Sequence, residues 1–227
     1  MGDLQGYMKT IYSAYGEDGL IEEITRRLGV SRGWFVEFGA RDGISLSNTW
    51  RLAEQGWHGV YIECDPQWFP KLQANCAPKF PRLRCVNAKV DNKDNVLDKV
   101  LCPYGVPTDF DLLSIDIDGH DYWVWKACQM TPKVVVIEYN SHFDPTESKS
   151  IPDDPSYRYS CDQYYGASAL ALYKLGKSKG YTLVAYNDVL NLFFVRDDLA
   201  SPFEEFDVNR IPKKVHKDPS PNKMIDV

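Results

Sequence analysis

The chain has 227 residues, with 26 Lys and Arg against 32 Asp and Glu, a net charge of −6 and a hydrophobic content of 44%. That balance speaks against a nucleic-acid partner, which needs a basic footprint, and the apolar content excludes wholesale disorder. At about 150 residues per domain, the length points to one α/β domain over 1–210 followed by a polar tail over 211–227.

No stretch of about 18 apolar residues is present, so no membrane span is expected. The opening residues Met1 to Gly6 lack the basic and apolar segments of a secretory signal. Gly6 stands where a myristoylation signal needs Ser or Thr. Six cysteines (Cys64, Cys76, Cys85, Cys102, Cys128 and Cys161) form no CxxC pair and are irregularly spaced. Reduced thiols in a cytoplasmic protein follow from that usage.

Along the chain, helix-like and strand-like segments alternate, which favours a parallel sheet. Residues 17–28 place Leu20, Ile21, Ile24 and Leu28 on one helical face, with Glu17 and Asp18 in the first turn and Gly29 as the stop. Trp34 to Phe38 reads as a short buried strand, and a glycine turn from Gly39 to Gly43 leads to a helix over 46–54. A second strand covers 59–63, a helix 66–77 and a third strand 83–90. Strands over 110–116 and 133–139 follow, and Trp123 and Trp125 between them read as helix packing. Residues 140–165 hold Pro145, Pro152, Pro155 and many aromatics, too long for an ordinary connection and suited to an active-site insertion or lid. A helix over 168–179 and strands over 181–186 and 192–196, joined by a turn at Asn187-Asp188, complete the pattern. The basic run Lys213 to Lys217 reads as a solvated tail.

Three signals carry chemistry. The first is Val36-Glu37-Phe38-Gly39-Ala40-Arg41-Asp42-Gly43, a strand, a glycine turn and a helix start, where a ligand can approach the backbone and an anion can meet amide groups. An ordinary strand-to-helix turn has the same pattern. The second is Glu63 at the end of the next strand, 20 residues after Gly43. A carboxylate there is placed to accept both hydroxyls of an adenosine ribose, or is an exposed strand-end acid. Both signals suit NAD as well as other adenosine ligands, although the glycine run is not GxGxxG. The third is Asp116-Ile117-Asp118-Gly119-His120-Asp121 after the fourth strand, with Glu138, Asn140 and His142 after the fifth. Ligands bind at the carboxyl ends of strands in open α/β sheets. Hard oxygen donors there suit Mg, Mn or Ca, and a carboxylate or His120 can instead act as a general base. Asp118 and Asp121 also fit as helix-start acids.

The chain resembles the Rossmann-fold methyltransferases that use S-adenosylmethionine, and within them the FkbM-like group, over about residues 11–199. The resemblance rests on Tyr15-Gly16-Glu17-Asp18-Gly19-Leu20-Ile21, Val36 to Ala40, Ile62-Glu63, Ser114 to Gly119, and the hairpin Gly180 to Val195. It implies an α/β, Rossmann-like three-layer sandwich with a seven-stranded, mostly parallel sheet and an antiparallel last strand. It also implies that Glu37, Gly39, Ala40 and Gly43 cradle the methionine part of the cofactor. Glu63 would hold the ribose, Asn87, Ala88 or Asp91 would lie near the adenine, and Asp116 would sit at the transfer centre. This chain departs from the family in having Asp118 and Asp121 where relatives commonly carry Glu. It also has Ala14 where they carry Gln, and Arg41 within the glycine turn.

The expected function is S-adenosylmethionine-dependent methylation of a small polar acceptor, at a hydroxyl oxygen. Asp116, Asp118 or His120 would serve as base, and Asp116, Asp118 and Glu138 as ligands of a divalent cation such as Mg. Glu138, Asn140, His142 and Tyr165 would border the acceptor, under an insertion whose aromatics exclude water. An NAD oxidoreductase, an enzyme using the sulfonium for other chemistry, and a non-catalytic binding module are the alternatives.

Overall fold

The computed structural model describes residues 4–76, 78–154, 156–160, 162–187, 190–213 and 224–227. Cys161, Asp188 and most of the basic run after Lys213 lie outside the described residues.

The elements run α1 (Glu17–Arg27), β1 (Trp34–Phe38), α2 (Trp50–Glu54), β2 (His58–Ile62), α3 (Phe69–Cys76), β3 (Leu83–Val86), α4 (Leu97–Leu101), β4 (Leu112–Ile115) and α5 (Asp121–Ala127). They continue with β5 (Val134–Glu138), β6 (Lys149–Ser150), α6 (Ala169–Ser178), β7 (Tyr181–Tyr186), β8 (Asn191–Arg196) and β9 (Ile225–Asp226). Seven strands form one sheet in the order β3-β2-β1-β4-β5-β8-β7. β1 to β5 are parallel, and β8 runs antiparallel to both β5 and β7. This is the expected Rossmann-like α/β sandwich. The strand order reverses direction at β1, whose neighbours are β2 and β4, and that switch point opens a crevice above the carboxyl ends.

Strand alternation sorts the two faces. Val36, Phe38, Leu113 and Ile115 pack with α4, α5 and α6 through Leu101, Trp125 and Leu172. Phe35 and Leu112 pack on the other face with α1, α2 and α3 through Leu20, Ile24, Trp50 and Leu72. The central strands are buried on both faces, which is why they read as unbroken apolar runs. Ser168 caps α6 by accepting from the Ala171 amide, as its place before the apolar run suggests.

Two element boundaries and the placement of the tail differ most from expectation. The helix expected over 46–54 begins only at Trp50, because Ser47, Asn48 and Thr49 direct their donors to the Glu37 carboxylate. β3 stops at Val86 rather than running to Val90. Beyond it, Asp91 Oδ1 gathers the amides of Lys93, Asp94 and Asn95 into a loop. The tail over 211–227, expected only to be polar and solvated, is anchored at both ends: Ile211 and Met224 are buried, and β9 pairs antiparallel with β6 in the 140–165 insertion. Trp125 lies in the core and Trp123 packs against it, as expected, and the Trp123 indole N–H also donates to the Ile151 carbonyl at 2.9 Å and ties the insertion to α5. No helix among the described residues is long and apolar enough to cross a membrane.

Candidate active site

A cavity of about 480 Å³ opens at the carboxyl ends of β1 to β4, a size typical of small-molecule sites. Phe38 and Gly39 form its floor, Ile62 to Pro66 one wall, and Ala88 to Asn92 another. Ile117, His120 and the segment Tyr157 to Tyr159 close the remaining side. Gly39 has φ 79°, and a Cβ there would lie 1.6 Å from the Asp116 carbonyl oxygen. The ends of β1 and β4 therefore meet at a point that only glycine permits.

Glu63 follows β2 and is 6% exposed. Its Oε2 accepts from the Arg41 amide and its Oε1 from the Asp65 amide, each at 2.7 Å. A carboxylate oxygen has two lone pairs, so each retains one to offer to the cavity that Glu63 lines. Ala88 lines the same cavity. Asn87 does not; its Nδ2 donates to the Glu63 carbonyl at 3.0 Å and buttresses the loop from outside.

Three other residues expected against the cofactor are turned to other tasks. Glu37 shares the face of Phe35, towards α1 to α3, and its carboxylate accepts from the hydroxyls of Ser47 at 2.8 Å and Thr49 at 2.5 Å and from the Asn48 amide at 3.0 Å. Burial holds its pKa above the ordinary carboxylate value. It organises the 47–49 loop and does not line the cavity. Gly43, at φ 79°, is a packing glycine: a Cβ there would press on Leu72 at 2.7 Å and Cys76 at 3.2 Å. Ala40 is buried with the α1–α3 cluster.

Beside the cavity, Asp116 after β4 and Glu138 at the end of β5 converge with Asp118. One carboxylate oxygen from each lies within 4.8 Å of the others. Asp118 holds a left-handed backbone, φ 53°. The loop shape is imposed by the fully buried Asp121, which accepts from the amides of Ile117 and Gly119, both at 2.9 Å. Asp121 is thus a loop staple, and the acids that remain for chemistry are the other three. Burial first, then the crowding of neighbouring carboxylates, pushes the pKa of Asp116 and of Glu138 well above the usual range. Glu138 is 5% exposed, and its Oε2 has no hydrogen-bond partner among the described residues. Opposite ligands of a hard cation stand roughly 4 to 5 Å apart, twice a metal–oxygen distance. The three oxygens fit such an ion by number, type and spacing.

His120 lines the cavity, and its Nε2 has no partner among the described residues. Its ring meets Tyr157 edge-on at 5.8 Å, and burial lowers its pKa below the ordinary histidine value. Tyr157 packs so closely over Gly119 that a Cβ there would lie 2.3 Å from the ring. The sequence shows an insertion rich in aromatics; the fold brings Tyr157 and Tyr159 of it to the cavity.

The expected acceptor residues separate into two groups. His142 and Tyr165 meet edge-on at 6.4 Å, and Tyr165 meets Tyr159 at 5.7 Å. Burial, then the charge of Glu138, raises the pKa of the Tyr165 hydroxyl. Asn140, by contrast, is consumed inside the protein. Its Nδ2 donates to the carbonyls of Gln163 and Tyr165, both at 2.9 Å, and its Oδ1 accepts from the His142 amide at 3.0 Å. It fastens the insertion and leaves little to offer an acceptor.

No family model matches the sequence, and no curated protein matches it. Solved structures do align with it. An S-adenosylmethionine-dependent methyltransferase from Clostridium acetobutylicum is 12% identical with a TM-score of 0.49, covering 79% of this chain and 90% of that one. A TehB-like S-adenosylmethionine-dependent methyltransferase from Corynebacterium glutamicum is 12% identical with a TM-score of 0.48, covering 81% and 89%. Magnesium protoporphyrin IX methyltransferase from Synechocystis, solved with bound S-adenosylmethionine, is 10% identical with a TM-score of 0.44, covering 79% and 77%.

Proposed function

We propose that the protein is an S-adenosylmethionine-dependent methyltransferase of the FkbM-like kind that methylates a hydroxyl oxygen of a small polar acceptor. One observation carries the proposal: Glu63, buried at the end of β2, lines a 480 Å³ cavity with a carboxylate only half used by backbone amides. That is the acceptor geometry an adenosine ribose needs at a topological switch point. Gly39 and Ala88 both line the cavity; Gly39 would allow close approach of the methionine part, and Ala88 would border the adenine. When bound, the cofactor supplies an electrophilic methyl group on a sulfonium.

The protein's own residues would do the rest. Proximity and alignment are the main contribution to a displacement of this kind. His120 Nε2 would accept the acceptor's proton. Asp116, Asp118 and Glu138 would hold a divalent cation such as Mg, which supplies Lewis-acid polarisation of an oxygen. His142 and Tyr165 would border the acceptor, and Tyr157 would exclude water from the cavity. A cytoplasmic location accords with five unpaired thiols among the described residues.

The test is calorimetric titration of S-adenosylhomocysteine, with NAD as the control ligand and with Mg or Mn in separate arms. Micromolar binding of S-adenosylhomocysteine alone would support the cofactor assignment. Preference for NAD would replace it with an oxidoreductase, and binding of neither would favour a non-catalytic module. Binding of Mn that is lost in Glu138→Gln would support the cation site; unchanged binding in that variant would remove it.

A further inference from the structure

The residues after the undescribed part of the tail return to the aromatic insertion. β9 pairs with β6 in the register Lys149 opposite Asp226 and Ser150 opposite Ile225. The Val227 amide donates to the Ser148 carbonyl at 3.1 Å, and the Ser148 hydroxyl donates to the Val227 carbonyl. Met224, 7% exposed, enters a small apolar cluster with Phe143 and Ile151, against which Tyr157 and Tyr164 pack. This cluster is separate from the two cores that flank the sheet.

From there a chain of contacts reaches the cavity. The Tyr157 hydroxyl donates to the Tyr164 carbonyl at 2.6 Å, and its ring packs on Gly119 and meets His120. Ile151 is held by Trp123 of α5, so one side of the cluster is fixed to the main body. Met224, brought in by β9, is one of the three buried members of that cluster. Removing it leaves a gap beneath the insertion that carries Tyr157.

We infer that Met224, held in place by the β6–β9 pair, is a positioning residue for Tyr157, and through it for closure of the cavity beside His120. The inference rests on the cavity being the cofactor site, and it assigns the tail a part in cofactor affinity. An apolar plug of the right volume is what the cluster requires, so the volume-conserving Met224→Leu is tolerated while Met224→Ala is not.

The experiment compares wild type, Met224→Ala and Met224→Leu by amide hydrogen exchange without ligand and by titration with S-adenosylhomocysteine. In Met224→Ala, exchange over 149–160 should rise about tenfold or more while that of β1, β4 and β5 stays unchanged. The dissociation constant should rise by about threefold or more, because the closed insertion is then only partly populated. Met224→Leu should restore both. Unchanged exchange over 149–160 would overturn the inference, as would faster exchange spread equally over the sheet or left unrescued by Leu. Faster local exchange with unchanged affinity would also overturn it. A wild type that binds no S-adenosylhomocysteine would instead remove the cofactor assignment, and with it the tail's part in affinity; exchange would still decide whether Met224 positions Tyr157.

Discussion

Glu63→Gln separates the two tasks that this carboxylate performs. Gln keeps the shape but offers one acceptor oxygen where Glu63 offers two, and both are already in use, one by the Arg41 amide and one by the Asp65 amide at 2.7 Å. One of those amides must then face an NH₂ group. A hydrogen bond to a charged acceptor lost at a site 6% exposed costs about 1.5–3 kcal/mol. Urea unfolding should show a loss of that size. The ribose would lose a charged partner of similar worth, so S-adenosylhomocysteine should bind roughly 10 to 100 times more weakly by calorimetry. The titration must be run where the variant is fully folded, so that the two effects are read apart. Lower stability with affinity within about threefold of wild type, below 1 kcal/mol, would show that Glu63 only staples the 41–65 loops, and the adenosine assignment would fall.

Gly39→Ala should destabilise by at least about 3 kcal/mol, since left-handed backbone strain adds to a collision with the Asp116 carbonyl. Gly29→Ala, with similar φ and open space, should cost only about 1 kcal/mol in the same urea experiment, and equal losses would refute the close-crossing account. Asn140→Ala releases the Gln163 and Tyr165 carbonyls and the His142 amide, so limited proteolysis should cut within 140–165 sooner than in wild type; an unchanged pattern would mean the aromatic contacts suffice. The Arg26 and Arg27 guanidiniums hold the Glu23 carboxyl down at about 2, against 4.5 for a free one. A depressed folded-state pKa gives stability that is full above the unfolded value and lost as pH falls from about 4.5 towards 2. Solvent screening around Arg26 limits it to about 1 kcal/mol. Glu23→Gln should therefore flatten the acid limb of a thermal-stability profile over that window, and a limb that is not flattened would refute the pairing.

Much of the scaffold was legible because its determinants are local. β1, β2, β4 and β5 are short apolar runs bounded by turns, and such runs read the same whether or not their neighbours are known. α1 and α6 carried their apolar faces and stops within a dozen residues. Glu63, Asp116, Asp118 and Glu138 were legible as site candidates for the same reason, since each follows or ends a recognisable strand and strand ends in a parallel sheet face the ligand crevice.

What sequence alone determined, then, was the order of elements and the end of the sheet at which the candidate site residues would gather. Tertiary structure decided which polar groups at that end remain available. Glu37 looked like a cofactor acid until Ser47, Asn48 and Thr49 folded back on it, and Asn140 like an acceptor contact until carbonyls 23 and 25 residues away claimed its amide. Gly43 proved to be a packing position and Gly39 a crossing point, a difference set by Leu72 and Cys76 in one case and Asp116 in the other. The tail's return to β6 was invisible for the same physical reason: strand pairing and hydrogen-bond satisfaction depend on groups brought together from distant parts of the chain, and local periodicity carries no record of those partners.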